Sequence, residues 1–193
     1  MDSSKTIILV VAALFLGLMI GVLGPKMFGS KPDVQQVSQR APAPQAQAPV
    51  PDYGVQISEL KKRLQNNPND VQLLVQLGNT YFDSNMYPES IEAYEKALAL
   101  RPDDPNVLTD LGIMYRRNKQ PEEAVKRFRM AAAADATHPQ SRMNLAVVLF
   151  YDLGDASGAK AALADLLAIY PQGPYADQAR QLEAEVNKAL GAH

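Results

Sequence analysis

Side chains capable of covalent or acid–base chemistry are scarce in this chain. Cysteine is absent, so no thiolate nucleophile or thiolate metal site exists, and the only histidines are His138 and His193. No His/Cys/Asp spacing suits zinc, and the glycines never gather into a phosphate-cradling loop. His138 precedes Pro139 between helical stretches and reads as a solvated loop residue rather than a base. Asp103-Asp104 and Glu122-Glu123 have the form of acid–base pairs. Both stand at expected helix starts, however, where a carboxylate caps free N–H groups and complements the macrodipole. The expectation is a protein that is not an enzyme and needs no cofactor or metal, so function has to be sought on its surface.

Charge narrows the choice. Six basic residues (Arg116, Arg117, Lys119, Lys126, Arg127 and Arg129) outnumber Glu122 and Glu123 locally, yet the net charge of the whole chain is −2. A nucleic-acid binder wants a strongly basic domain, so no nucleic-acid partner is expected. A solvated convex face accounts for the basic run, with a dock for an acidic partner or lipid headgroup as the alternative.

The elements that would position a binding surface show themselves by repetition. Leu77-Gly78 returns 34 residues on as Leu111-Gly112 and, weakened, as Leu145-Ala146. At the same spacing Tyr81 is matched by Tyr115 and Leu149, Tyr94 by Phe128, and Ala97 by Ala131. Leu74, Leu77 and Tyr81, like Leu108, Leu111 and Tyr115, fall three or four apart and so share one helical face. Gly78 and Gly112 sit inside that face, where glycine costs about 1 kcal/mol against alanine, so a neighbouring helix must approach closely there. Tyr94, Ala97 and Leu98, then Phe128, Ala131 and Ala132, supply one large and several small residues on a second helix. Each unit is therefore a helical hairpin. Pro88 and Pro121 stand in the second helix's first turn, where a missing N–H is harmless, and Pro102 and Pro105 separate one unit from the next.

The order large-x-x-Leu-Gly-x-x-Tyr, then Ala, an aromatic, Ala and Pro, at this period, resembles the tetratricopeptide repeat (TPR). The likeness extends from about Val55 to Leu190. It implies an all-α solenoid of about three repeats within residues 54–193: 71–104, 105–138 and 139–172. A half-repeat helix over 55–67 covers the open N-terminal end, and a capping helix over 174–190, with Tyr175, Ala179, Leu182 and Val186 on one stripe, covers the other. The third repeat departs from the pattern: Arg142 takes the large first position, Ala146 replaces the glycine and Leu149 the tyrosine. Its phase then slips by one, so that Ala159 and Leu163 carry the small and large positions and Pro171 closes the unit one residue late.

The resemblance also implies a concave groove lined by the first helices. Its rows here are Gln72, Val75, Asn79, Phe82 and Asp83; then Asn106, Thr109, Ile113, Arg116 and Arg117; then Gln140, Met143, Val147, Phe150 and Tyr151. These rows suit an extended or helical peptide with apolar anchors and an acidic group for the arginines, unless Met143, Val147 and Phe150 pack instead against the capping helix. Chaperone-binding members of the family hold a C-terminal carboxylate with a lysine where this chain has Val75 and asparagines at the places of Asn79 and Asp110. Only Asn79 is kept, and Asp110 would repel a carboxylate.

The N-terminal region reads differently. Residues 6–23, from Thr6 to Leu23, hold no charge and with Gly24 and Pro25 reach the roughly 20 residues a membrane-spanning helix needs. Lys5 and Lys26 bracket them and no A-x-A cleavage site follows, so residues 1–28 are expected to be an uncleaved signal anchor. A short N-terminal tail stays in the cytoplasm, which places the repeats outside a bacterial inner membrane, in the periplasm. Gly17 and Gly21 form a G-x-x-x-G that offers a self-association face. Residues 29–53, with Pro42, Pro44, Pro49 and Pro51 among Ala and Gln, read as a disordered linker. The whole is expected to be a membrane-anchored scaffold that binds partner proteins or peptides. By resemblance, proteins of this layout include cytochrome c biogenesis subunits that bind apocytochrome tails and chaperone helpers at the translocon; a structural subunit of a membrane complex is the alternative.

Overall fold

A computed structural model describes residues 52–191. The expected anchor, the Gly17/Gly21 pair, nearly all of the expected linker and His193 lie outside the described residues. Among those described, no helix is long and apolar enough to cross a membrane.

Eight α-helices and no strand make up the described residues. They are α1 (Tyr53–Asn66), α2 (Val71–Asp83), α3 (Tyr87–Leu100), α4 (Pro105–Arg117), α5 (Pro121–Ala134), α6 (Pro139–Val147), α7 (Ala156–Ile169) and α8 (Pro174–Leu190). A π-helical turn, Val148–Asp152, continues α6. Helices adjacent in sequence pack on each other throughout, giving the hairpin pairs α2/α3, α4/α5 and α6/α7. Helix α1 begins at Tyr53, inside the stretch read as linker, because the Asp52 carboxylate accepts from the Val55 N–H at 3.1 Å and starts the helix there.

The starts of the first helices recur with the period. Asp70 accepts from Gln72 and Leu73 N–H at 3.0 and 3.1 Å, and Asp104 does the same for Asn106 and Val107 at 3.1 and 3.3 Å. The next member of the series is His138, which corrects its reading as a solvated loop residue. It is buried, its Nδ1 accepts from the Ser141 N–H at 3.3 Å, and its Nε2 lies 3.3 Å from Asn106 Oδ1 on the preceding repeat. It is a helix cap that also links two repeats. Removing an N-cap side chain costs about 1 kcal/mol, so His138→Ala should lower unfolding stability by about that amount, with His138→Asp recovering some of it; denaturant titration of the three proteins checks this.

The one-residue slip in the third repeat has a physical site. The first two hairpins turn through Asn85 and Lys119, both at positive φ, and close with Met86 N–H to Tyr81 C=O and Gln120 N–H to Tyr115 C=O, each 2.9 Å. The third turns through Gly154 at φ 67°, and there Asp155 N–H reaches back one residue further, to Leu149 C=O at 2.7 Å. The Leu153 N–H to Val148 C=O bond, five residues apart, marks the wider turn. The extra residue is thus absorbed as a π turn at the end of the first helix, and α7 starts with the hairpin register restored.

The contact that defines each hairpin is glycine against an aromatic ring. A Cβ on Gly78 would stand 2.6 Å from Tyr94 Cε1, and one on Gly112 would stand 2.6 Å from Phe128 Cε1. In the third repeat Ala146 occupies the glycine's place and Leu163, shifted by the slip, the aromatic's; both are fully buried in the same core. On α8 the buried stripe is Ala176, Ala179, Leu182 and Val186, so Ala176 takes the place expected for the half-buried Tyr175.

Candidate peptide groove

The groove residues named from the sequence do not share one environment. Gln72, Asn79, Phe82 and Asp83 on α2 are exposed, as are Asn106, Arg117, Gln140 and Tyr151. Val75, Ile113, Met143, Val147 and Phe150 are half-buried and packed against the hydrophobic core. Thr109 is buried at 4 % exposure, and its hydroxyl donates to the Pro105 carbonyl at 2.7 Å, so it has no face left for a ligand.

At the C-terminal end of this surface several side chains pair with other parts of the protein. Tyr151 donates its hydroxyl to Glu185 Oε2 of α8 at 2.7 Å, and the Phe150 ring stands edge-on to Tyr151 with centroids 4.9 Å apart. Arg116 Nε pairs with Asp152 Oδ2 at 2.5 Å, which ties α4 to the π turn. The basic run is similarly divided: Lys126 pairs with Glu123, and Arg127 pairs with Glu95 while stacking on the Tyr115 ring, with its Cζ 5.5 Å from the centroid. Arg117, Lys119, Lys126 and Arg129 remain exposed.

What stays open lies between the first two repeats. Asn79, Phe82 and Asp83 of α2, Tyr94 of α3, and Asp110, Ile113 and Met114 of α4 line a cavity of about 270 Å³. The Tyr94 hydroxyl at its base donates to Asn79 Oδ1 at 2.6 Å. Burial raises the Tyr94 pKa, and the Asp110 charge adds to the rise. Asp110 is half-buried, and its pKa is pushed up to about 6, first by desolvation and then by Asp104. Tyr94, Asp110 and Met114 are absent from the groove rows that the sequence supplies. Hairpin packing accounts for Tyr94 in the sequence, and the ring performs that role as well; Asp110 shows itself there only as an obstacle to a carboxylate. Among the described residues no three His, Cys, Asp or Glu side chains come together as a metal cage.

Family models match two stretches of the array. Residues 78–119 match a TPR repeat model, and residues 140–173 match a tetratricopeptide repeat model. The array has the fold of a TPR solenoid. Solved structures agree on the fold. A crystal structure of MamA superposes with a TM-score of 0.60 at 21% identity, covering 73% of this chain and 90% of that one. The first TPR of Spaghetti (RPAP3), bound to the HSP90 peptide SRMEEVD, gives 0.57 at 23% identity, covering 63% and 93%. A tetratricopeptide repeat protein from Parabacteroides merdae ATCC 43184 gives 0.66 at 17% identity, covering 73% and 55%. No curated protein matches the chain in sequence.

Proposed function

We propose that this TPR solenoid is a scaffold that holds an extended segment of a partner protein in the cavity between α2 and α4, acting by binding rather than turnover. The observation that carries the reading is the cavity itself. At the C-terminal end of the groove face Tyr151 is hydrogen-bonded to α8 and Phe150 packs on the core, while Asn79, Phe82 and Asp83 remain exposed beside Ile113. TPR domains are typical interaction modules, and the RPAP3 repeat shows the fold with a peptide bound. The uncharged stretch over residues 6–23 supports an anchor in a bacterial inner membrane, with the repeats outside the cytoplasm on a linker that could reach about 75 Å if fully extended. Such a protein would hold exported chains near the bilayer during assembly or maturation.

Phe82 is the side chain to change first, because at 36 % exposure it contributes surface without belonging to the core. Phe82→Ser should weaken capture of peptides by about tenfold or more, as loss of an aromatic anchor does. The melting temperature should move by no more than about 3 °C. Fluorescence anisotropy with peptides selected on the wild-type chain, together with a thermal melt, checks both halves. Full capture by a folded Phe82→Ser protein would move the binding surface elsewhere. Phe150 is unsuited to this test, since its ring is packed against the core.

A further inference from the structure

We propose that the cavity between α2 and α4 is a socket for one lysine or arginine side chain of the partner segment, flanked in that segment by apolar residues. This rests on the groove reading and deepens it by fixing the chemistry of the occupant. At about 270 Å³ the cavity is smaller than the roughly 300–1,000 Å³ of pockets for drug-sized ligands, so it suits a single long side chain. Its apolar walls, Phe82, Ile113 and Met114, would cover a methylene stem, as long cationic side chains bury their stems while the head meets charge.

The charged members of the lining are both carboxylates, and they come from different helices: Asp83 at the end of α2 and Asp110 in the middle of α4. Asp104, at the start of α4, adds a third negative charge to the field at Asp110. The basic residues nearest in sequence are otherwise engaged or turned to solvent: Arg116 holds Asp152, and Arg117 is exposed. The Asp110 carboxyl is half-buried in this lining, and burial raises its pKa. A cation is the partner that restores what burial removed. Asn79 completes the recognition. With its carbonyl oxygen taken by the Tyr94 hydroxyl, this exposed lining residue keeps its amide NH₂ as a donor suited to a backbone carbonyl. An acidic peptide such as SRMEEVD would meet like charge here, so the socket selects the opposite sign from that ligand of the RPAP3 repeat.

The test is a selection of random twelve-residue peptides, displayed with blocked termini, on the immobilised full chain, run in parallel on Asp83→Asn/Asp110→Asn and on Phe82→Ser. The expected result is enrichment of Lys or Arg between apolar residues, depletion of Asp and Glu, and loss of the basic preference in the double variant. Isolated peptides should bind the double variant at least about tenfold more weakly, the scale of a lost desolvated charge pair. Circular dichroism confirms that both variants are folded. Peptides that are enriched and lost on Phe82→Ser, yet show no basic preference or keep it in the double variant, would overturn the socket and leave the groove standing. No enrichment on the wild-type chain, or enrichment indifferent to all three substitutions, would overturn both.

Discussion

Gly112→Leu is expected to unfold the middle of the array, with loss of most helical circular dichroism at room temperature. A Cβ at this position would stand 2.6 and 2.8 Å from Cε1 and Cδ1 of Phe128. Phe128 is fully buried, so its ring has no room into which to retreat. Overpacking by a methylene or two already costs about 1–3 kcal/mol, and leucine brings further carbons into the same space. Because a domain's whole stability is about 5–15 kcal/mol, a clash at the central hairpin removes a large fraction of it. A finer version of the experiment isolates the cause. Gly112→Ala carries the Cβ clash but gains about 1 kcal/mol of helix propensity, so its net effect understates the contact. Phe128→Leu removes the ring. The third repeat uses this combination, Ala146 with Leu163, both fully buried. The double variant should therefore be more stable than the two single changes predict by about 1 kcal/mol or more, read by a double-mutant cycle in denaturant. Strict additivity would refute the claim that the glycine exists to admit the ring.

That contact was legible in the sequence because it depends on two residues 16 apart inside one unit, repeated at a fixed period: Gly78 with Tyr94 and Gly112 with Phe128. The hairpins, their proline-marked starts and the shift of phase in the third unit could be read for the same reason. Features made between units could not. His138 reads as loop in the sequence because histidine is an uncommon cap and its second contact, Asn106, is 32 residues away. The slip is visible in the sequence, but only backbone hydrogen bonds show that a π turn takes up the extra residue. The groove rows transferred by resemblance are silent about exposure. Tyr151 and Arg116 are engaged by Glu185 and Asp152, and those pairings depend on the path of α8 and on the π turn. Thr109 is lost to a local effect, since a threonine hydroxyl in a helix readily bonds the carbonyl four residues back.

Asp110→Asn is expected to stabilise the folded chain at pH 7 by about 1–3 kcal/mol while weakening the capture of basic peptides. The carboxyl is pushed from an ordinary value of 3.8 to about 6 in the folded state, chiefly by burial. Between those values the folded chain binds more protons than the unfolded one, so this group's contribution to stability falls as pH rises through that window. Above it the carboxylate is charged and the full penalty is present; well below pH 3.8 it is neutral in both states and the penalty is gone. An asparagine never charges, so its advantage over wild type should be largest near pH 7 and shrink to a small part of that near pH 4. Paired denaturant titrations at the two pH values measure this difference directly, and other titrating groups cancel to first order because both proteins share them. Asp83 from α2 and Tyr94 from α3 face the same cavity and are unchanged in the comparison. A stability gain that is equal at both pH values would mean that shape rather than charge is at fault, and no gain at all would mean that water reaches the carboxylate freely. Retention of a destabilising charge at an open cavity of the groove face is what binding, rather than folding, requires. A bound lysine or arginine should reverse the effect by drawing the Asp110 pKa down, so basic peptides ought to bind more weakly as pH falls from 7 to 5, and the Asn variant should show no such dependence.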